Sequence, residues 1–261
     1  KEVFILKYQE WFNYVHGKIK SGKPLLGAWI TLPYPDVTEV LSNLPFDWFL
    51  IDMEHSPIDI SQISPLLMSI KETNVVPITR VPWNDFVAIK RVLDLGVAGV
   101  LVPWVNSKEE AIKAVEAVRY PPLGIRGVGP RRCVKYGFEN VVQYFNEWSK
   151  YAIVITQIET KKAYENLEEI ISVDGVTGIL IGPSDLSASL GMFGKANTPE
   201  FENILRDIAT RAKPYEKIIG IFAPNPEFAL KAYKLGYNFI ALSHDITYLI
   251  EGAKKFLGMF Q

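Results

Sequence analysis

The chain has 261 residues, 48% of them hydrophobic, which is enough to bury one (β/α) barrel or two small domains. We take the single barrel, over residues 1–261. The 28 basic and 29 acidic side chains leave a net charge of -1, with no basic stripe of the kind that holds a nucleic acid. A lone cysteine, Cys133, excludes an internal disulfide and a cysteine-based zinc site and suits a reducing compartment, so the cytoplasm is expected. No apolar run approaches the roughly 20 residues of a membrane span, and Lys1 to Trp11 lacks the succession of a signal peptide.

In chain order, an amphipathic stretch from about Phe4 to Lys20 predicts a helix that flanks the closed end of the barrel. Eight short apolar runs follow: Leu25 to Thr31, Trp48 to Met53, Val75 to Val81, Gly99 to Val102, Ala152 to Ile158, Gly178 to Ile181, Ile218 to Phe222 and Asn238 to Leu242. Short buried runs suit parallel strands covered by helices, and eight of them imply a closed (β/α)8 TIM barrel. Between them, Asn84 reads as the cap of a helix whose apolar face is Phe86, Ile89, Val92 and Leu93. Ser107 followed by Glu110 reads as a capping box for a helix to about Val118, and Gly96 and Gly236 as helix stops before strands four and eight. The main interruption, Arg119 to Tyr136, is rich in Pro, Gly and Arg and precedes a second amphipathic stretch, Phe138 to Trp148. An insertion after a strand falls on the active-site face, so Tyr120 to Pro130 is expected to be a lid or a subunit contact. The chain closes on an amphipathic helix, Ile246 to Phe260.

Side chains at the C-terminal ends of barrel strands converge on one mouth. Here strand two ends in Asp52-Met53-Glu54-His55, strand three in Thr79-Arg80 and strand five in Gln157-Ile158-Glu159, while strand six runs into Gly182-Pro183-Ser184-Asp185. Each has a plain structural alternative: a hydrogen-bonded loop histidine, an ordinary ion pair for Arg80, a helix cap for the Gly-Pro-Ser-Asp turn. Together they make a site, because four strands would otherwise bring costly unpaired charge to one place. Glu159 and Asp185, closing neighbouring strands without a cysteine or a histidine pair, suit a hard divalent cation, Mg²⁺ first and Mn²⁺ or Co²⁺ as substitutes.

A 2-oxo acid chelates such an ion through a carboxylate and a ketone oxygen, which stabilises an enolate when the neighbouring bond breaks. Arg80 supplies fixed charge at that oxygen, His55 moves the proton, and Asp52 is placed to orient the histidine ring. The backbone N–H groups around Ser184 and Asp185 suit the substrate carboxylate. This is the equipment of a metal-dependent aldolase. The Schiff-base route needs a lysine inside the barrel; the strands carry none, although Lys161 and Lys195 lie in rim segments.

Five motifs, spanning nearly the whole chain in order, resemble the HpcH/HpaI aldolase family of class II pyruvate aldolases. They are Phe46-Asp47-Trp48-Phe49-Leu50-Ile51-Asp52-Met53-Glu54-His55, Arg80-Val81-Pro82, Tyr120-Pro121-Pro122 through Gly129, Gln157-Ile158-Glu159-Thr160, and Gly182-Pro183-Ser184-Asp185 through Gly191, the last being the most specific. The resemblance implies retro-aldol cleavage of a 4-hydroxy-2-oxo acid to pyruvate and an aldehyde. It implies Glu159 and Asp185 as metal ligands, His55 as base, Arg80 as stabiliser of the transition state, and Gln157 with the Ser184 amide as contacts to the pyruvyl part. It further implies Asp94 as a carboxylate acting on the histidine, although Asp94 closes a helix and belongs to the opposite rim, within reach of His55 only from a neighbouring subunit. A homo-oligomer, trimer or hexamer, is implied as well, with the C-terminal helix suited to exchange between subunits.

The chain departs from the family pattern in three places: Met53 where glycine is common, Leu123 where a charged residue often stands, and Ser243-His244-Asp245 where Gly-Ser-Asp is typical. None removes a ligand, but His244 adds a titratable group near the mouth, and Phe222, in register parity with Gly220, narrows the aldehyde side or simply packs the barrel. The competing readings are a CoA-thioester lyase or an oxaloacetate-type decarboxylase on the same enolate chemistry, and a non-catalytic 2-oxo acid binding protein.

Overall fold

A computed structural model of the chain describes residues 7–260. The expected flanking helix runs over Lys7–Lys20, and its first three residues from Phe4 lie outside the described ones. Every expected strand run holds a strand: β1 Leu25–Ile30, β2 Trp48–Asp52, β3 Val76–Arg80, β4 Gly99–Val102, β5 Ile153–Ile158, β6 Gly178–Ile181, β7 Ile218–Ala223 and β8 Phe239–His244. Each pairs in parallel with the next, and β8 pairs with β1 to close the barrel. No helix among the described residues is long and apolar enough to cross a membrane.

Alternation along the strands sorts the apolar side chains into two layers. Leu25, Trp48, Leu50, Val76, Ile78, Leu101, Ile155, Leu180 and Phe239 fill the barrel, where the Trp48 and Phe239 rings stack at 3.9 Å. Side chains of opposite parity, such as Phe49, Ile51, Val100 and Ile179, pack against the helices. Burying each large side chain is worth about 1.5–3 kcal/mol, so both layers reward one register and penalise a one-residue slip.

The helices follow their sequence signals with two adjustments. Phe86–Asp94 buries Ile89, Val92 and Leu93 as expected, but its cap is Asp85, which accepts the Ala88 N–H at 2.8 Å. Asn84 instead turns inward and donates to the Glu110 carbonyl at 2.9 Å; the charged Asp85 is one residue nearer the first turn and is the better acceptor there. In the helix Lys108–Val118, Ser107 accepts from the Glu110 N–H, while the Glu110 side chain reaches back past the cap to the Asn106 N–H. Gly96 and Gly236 do stop their helices, at φ of +94° and +106°, where a side chain would be strained.

The lid expectation is overturned. The insertion leaves from the end of the helix Lys108–Val118, which has already carried the chain back to the N-terminal rim, so it lies opposite the strand ends that gather the polar residues. Hydrogen bonds tie it to that lower rim. Ile125 N–H bonds the Glu116 carbonyl at 2.8 Å, Arg132 bonds the Leu95 carbonyl at 3.0 Å, and the Tyr8 hydroxyl bonds the Cys133 carbonyl at 2.8 Å. Arg126, fully buried among Tyr120, Tyr144 and Trp148, holds Asp94 at 2.6 Å. The second amphipathic stretch forms the helix Val141–Tyr151. The last helix, Asp245–Leu257, buries only Asp245 and leaves Leu249 and Ile250 exposed.

Candidate active site

Neighbouring strand ends bring Asp52 and Arg80 side by side in register. The Arg80 guanidinium forks onto Asp52, with Nε to Oδ1 at 2.8 Å and the second nitrogen to Oδ2 at 2.7 Å, and its remaining nitrogen lies 2.8 Å from Glu54 Oε2. Trp29 covers its face at 4.8 Å. Arg80 is therefore an ion-pair partner, as the plain alternative held, but the pairing locks a buried cation at the mouth in one orientation. Burial pushes the Asp52 carboxyl up, and the hydrogen bonds and charge of Arg80 outweigh it, holding Asp52 below its ordinary range.

Asp52 does not orient the His55 ring. Its free lone pairs accept the backbone N–H groups of Glu54 at 3.0 Å and His55 at 3.4 Å, because the chain turns directly over the carboxylate after β2. The His55 ring is 63% exposed, and Glu54, 4.0 Å from its Nε2, is the acid beside it. Asp94 is not brought to His55 within this chain; it stays at the opposite rim on Arg126. Glu54 is the residue that sequence reasoning passed over, although it stands in the Asp-Met-Glu-His run. Burial, with the charges of Asp52 and Asp185, pushes its carboxyl up to about 7 against the pull of Arg80.

Glu159, 2% exposed, is held by two donors: the Trp104 N–H at 2.7 Å on one oxygen and the Gln157 amide at 2.5 Å on the other. Trp104 offers that N–H from a left-handed backbone, φ +55°, an unfavourable conformation for tryptophan that marks a constrained site. Burial raises the Glu159 carboxyl to about 7; the Trp104 N–H opposes this, and the negative charges of Glu54 and Asp185 add to it. Asp185 sits in the first turn of the short helix Pro183–Ser189, whose cap is Gly182. The amides of Ser184 and Asp185 precede the first intrahelical bond, from Leu186 N–H to the Gly182 carbonyl.

This donor set fits a hard cation. Its oxygens would come from Glu159 and Asp185, Glu54 is close enough to feel both, and the side-chain amide oxygen of Gln157 is buried without a hydrogen-bond partner among the described residues. Among the described residues no group of three or more His, Cys, Asp or Glu is placed to hold a metal ion; a site built on two carboxylates would leave most of the coordination sphere to water and substrate oxygens. A Cβ on Gly182 would stand 3.0 Å from the Gln157 amide nitrogen and 3.5 Å from Glu159 Oε2. Gly182→Ala is accordingly expected to displace the amide that supports Glu159 and to weaken Mg²⁺ binding about tenfold, measured by calorimetry.

The raised carboxyls also set a pH dependence. Glu54 and Glu159 bind protons more tightly folded than unfolded, so their stabilising effect is complete below the ordinary 4.5 and is lost as pH rises through about 7. Metal-free protein is expected to show a falling Tm from pH 5 to pH 7.5, and added Mg²⁺ to restore it at the upper end. Asp52 acts in the opposite sense, but its window lies below its ordinary 3.8. No lysine enters the barrel interior among the described residues; Lys161 is 65% exposed beside Glu165, and Lys195 is exposed.

Fold and mouth together define a (β/α)8-barrel enzyme in which a locked arginine faces a set of buried carboxylates. Residues 25–252 match the model of the HpcH/HpaI aldolase/citrate lyase family, and the chain belongs to that family. It is 39% identical over 236 residues to the 5-keto-4-deoxy-D-glucarate aldolase of Citrobacter koseri, covering 90% of this chain and 91% of that one. It is 39% identical over 249 residues to the pyruvate aldolase of Rhizobium etli, covering 95% and 97%. The crystal structure of an HpcH/HpaI aldolase/citrate lyase family protein from Burkholderia cenocepacia superposes with a TM-score of 0.90 at 29% identity, over 95% of this chain and 99% of that one. The protein is an aldolase, a carbon–carbon lyase, of a family in which metal dependence is typical.

Proposed function

We propose that the enzyme cleaves a 4-hydroxy-2-oxo acid of the sugar-acid type, reversibly, to pyruvate and an aldehyde. The observation that carries this reading is the buried Glu159 carboxylate, aimed by Trp104 and Gln157 and set against Asp185. Glu159 and Asp185 would hold a divalent cation, Mg²⁺ with Mn²⁺ or Co²⁺ as alternatives. Bound there, the ion supplies Lewis acidity to a ketone oxygen.

The chain's own residues do the rest. Arg80, immobilised by Asp52 and Glu54, presents fixed positive charge where the ketone oxygen gains electron density. The Ser184 and Asp185 amides, shaped by Gly182 and Pro183, and the Gln157 side chain receive the pyruvyl carboxylate. His55, exposed at the mouth, takes the proton from the C4 hydroxyl as the carbon–carbon bond opens. Asp94 would join it only from a neighbouring subunit, and a trimer or hexamer is the assembly that supplies one. With a single buried cysteine, Cys133, the enzyme suits the cytoplasm.

The test compares 5-keto-4-deoxy-D-glucarate, oxaloacetate and an acyl-CoA thioester side by side with Mg²⁺, following pyruvate or free CoA. The sugar acid is expected to turn over fastest. Preference for the thioester would make the protein a CoA lyase, preference for oxaloacetate a decarboxylase. Tight pyruvate binding with no turnover of any of them would make it a 2-oxo acid binding protein.

A further inference from the structure

At the mouth, β8 carries one residue more than its partner β1. Gly27 pairs with Ala241, but Trp29 pairs with His244, so the step from Gly27 to Trp29 faces a longer step on β8. The excess is absorbed at Ser243, a buried serine in the left-handed region at φ +63°. A bulge of this kind re-aims the side chain that follows it. Phe239 and Ala241 face the barrel interior, and plain alternation would next turn Ser243 inward. The bulge brings His244 level with Trp29, which faces the interior together with Phe222.

The ring contacts agree. His244 lies 5.7 Å from Phe222, Phe222 meets Trp29 edge-on at 5.3 Å, and Trp29 covers Arg80. The bulge is anchored by Asp245, 1% exposed, which accepts the N–H groups of Thr31, Leu32 and Ile246. The imidazole is itself oriented: Nδ1 shares a hydrogen bond with the Thr247 hydroxyl at 2.6 Å, and Nε2 has no partner among the described residues. A half-buried imidazole with one nitrogen fixed and the other open, on the same ring of side chains as Arg80, is a built hydrogen-bonding group and not barrel filling.

We propose that His244 is a specificity-determining residue: Nε2 hydrogen-bonds an oxygen on the aldehyde half of the substrate, while Phe222 confines that half to a short chain. The proposal rests on the aldolase reading above. With the Thr247 hydroxyl donating to Nδ1, the ring proton sits on Nε2 and the acceptor is a hydroxyl or carboxylate oxygen of the aldehyde. A pocket built to hydrogen-bond rejects an analogue lacking the group far more strongly than an apolar pocket rejects one methylene.

The experiment runs the reaction in the aldol direction with pyruvate and Mg²⁺, measuring kcat/KM for glycolaldehyde, glyoxylate and propanal. Wild type is expected to favour the oxygen-bearing aldehydes, and His244→Leu to cut that preference about tenfold or more, with partial rescue in His244→Gln. Thr247→Val, which removes only the ring's anchor, should move the preference the same way and serves if the leucine variant folds poorly. The glycolaldehyde and glyoxylate arms separate a hydroxyl from a carboxylate partner. Deuterium exchange at the pyruvate methyl group, which needs no aldehyde, separates enolate formation from recognition of the aldehyde. No exchange in wild type overturns the aldolase reading and this proposal together. Exchange with an unmoved preference in the variants, or loss of exchange in parallel with the aldol reaction, overturns this proposal alone.

Discussion

Glu159→Gln is expected to lower pyruvate release by about a thousandfold or more, the several kcal/mol that Lewis-acid assistance contributes to the barrier. The substitution is nearly isosteric, so the loss is not one of packing. Glutamine keeps one oxygen for the Trp104 N–H but faces the Gln157 amide nitrogen with a second amide nitrogen, donor against donor, and removes the charge. Calorimetry should show Mg²⁺ binding lost in step with kcat. The same variant relieves the repulsion that Glu54 and Asp185 impose at this position. Its metal-free form should therefore melt above metal-free wild type at pH 7.5, a gain in stability beside a loss of activity that a folding defect does not produce.

Arg80→Ala should lower kcat by about 10²–10³-fold, the usual effect of removing one aligned donor from a developing oxyanion. It should also destabilise the fold by roughly 3–5 kcal/mol, because Asp52 and Glu54 remain buried without their counter-charge. Arg80→Lys separates the two effects. Lysine restores a positive charge near Glu54 but cannot reproduce the two-nitrogen fork on Asp52, so Tm recovers more than kcat. Full activity in Arg80→Lys would mean that the charge alone acts and the fork is only structural.

The strands were legible because each is a short apolar run bounded by a polar turn, and the barrel followed from their number. Within the candidate site, Asp52, Arg80 and Gln157 stand at strand ends and Glu159 one residue beyond, the positions that the strand register predicts. What escaped had a physical reason in each case. Trp104 acts through a backbone N–H, which leaves no trace in residue type. Glu54 lies in the turn beyond β2, where strand parity no longer says which way a side chain faces. Sequence proximity points Asp52 at the histidine, whereas its cross-strand neighbour Arg80 is the partner in space. Arg119 to Tyr136 reads as an insertion after strand four, but the helix Lys108–Val118 intervenes and carries it to the opposite rim. The inward turn of His244 depends on a bulge at a serine, with no glycine to announce the left-handed residue.

Anomalous scattering from crystals soaked with Mn²⁺ and pyruvate tests directly whether Glu159 and Asp185 hold the ion. One strong peak is expected between the Glu159 and Asp185 carboxylates, with the pyruvate carboxylate and ketone oxygens in its coordination sphere and the Arg80 guanidinium beside the ketone oxygen. A peak elsewhere, or pyruvate bound at the mouth with no ion between those two carboxylates, would contradict it.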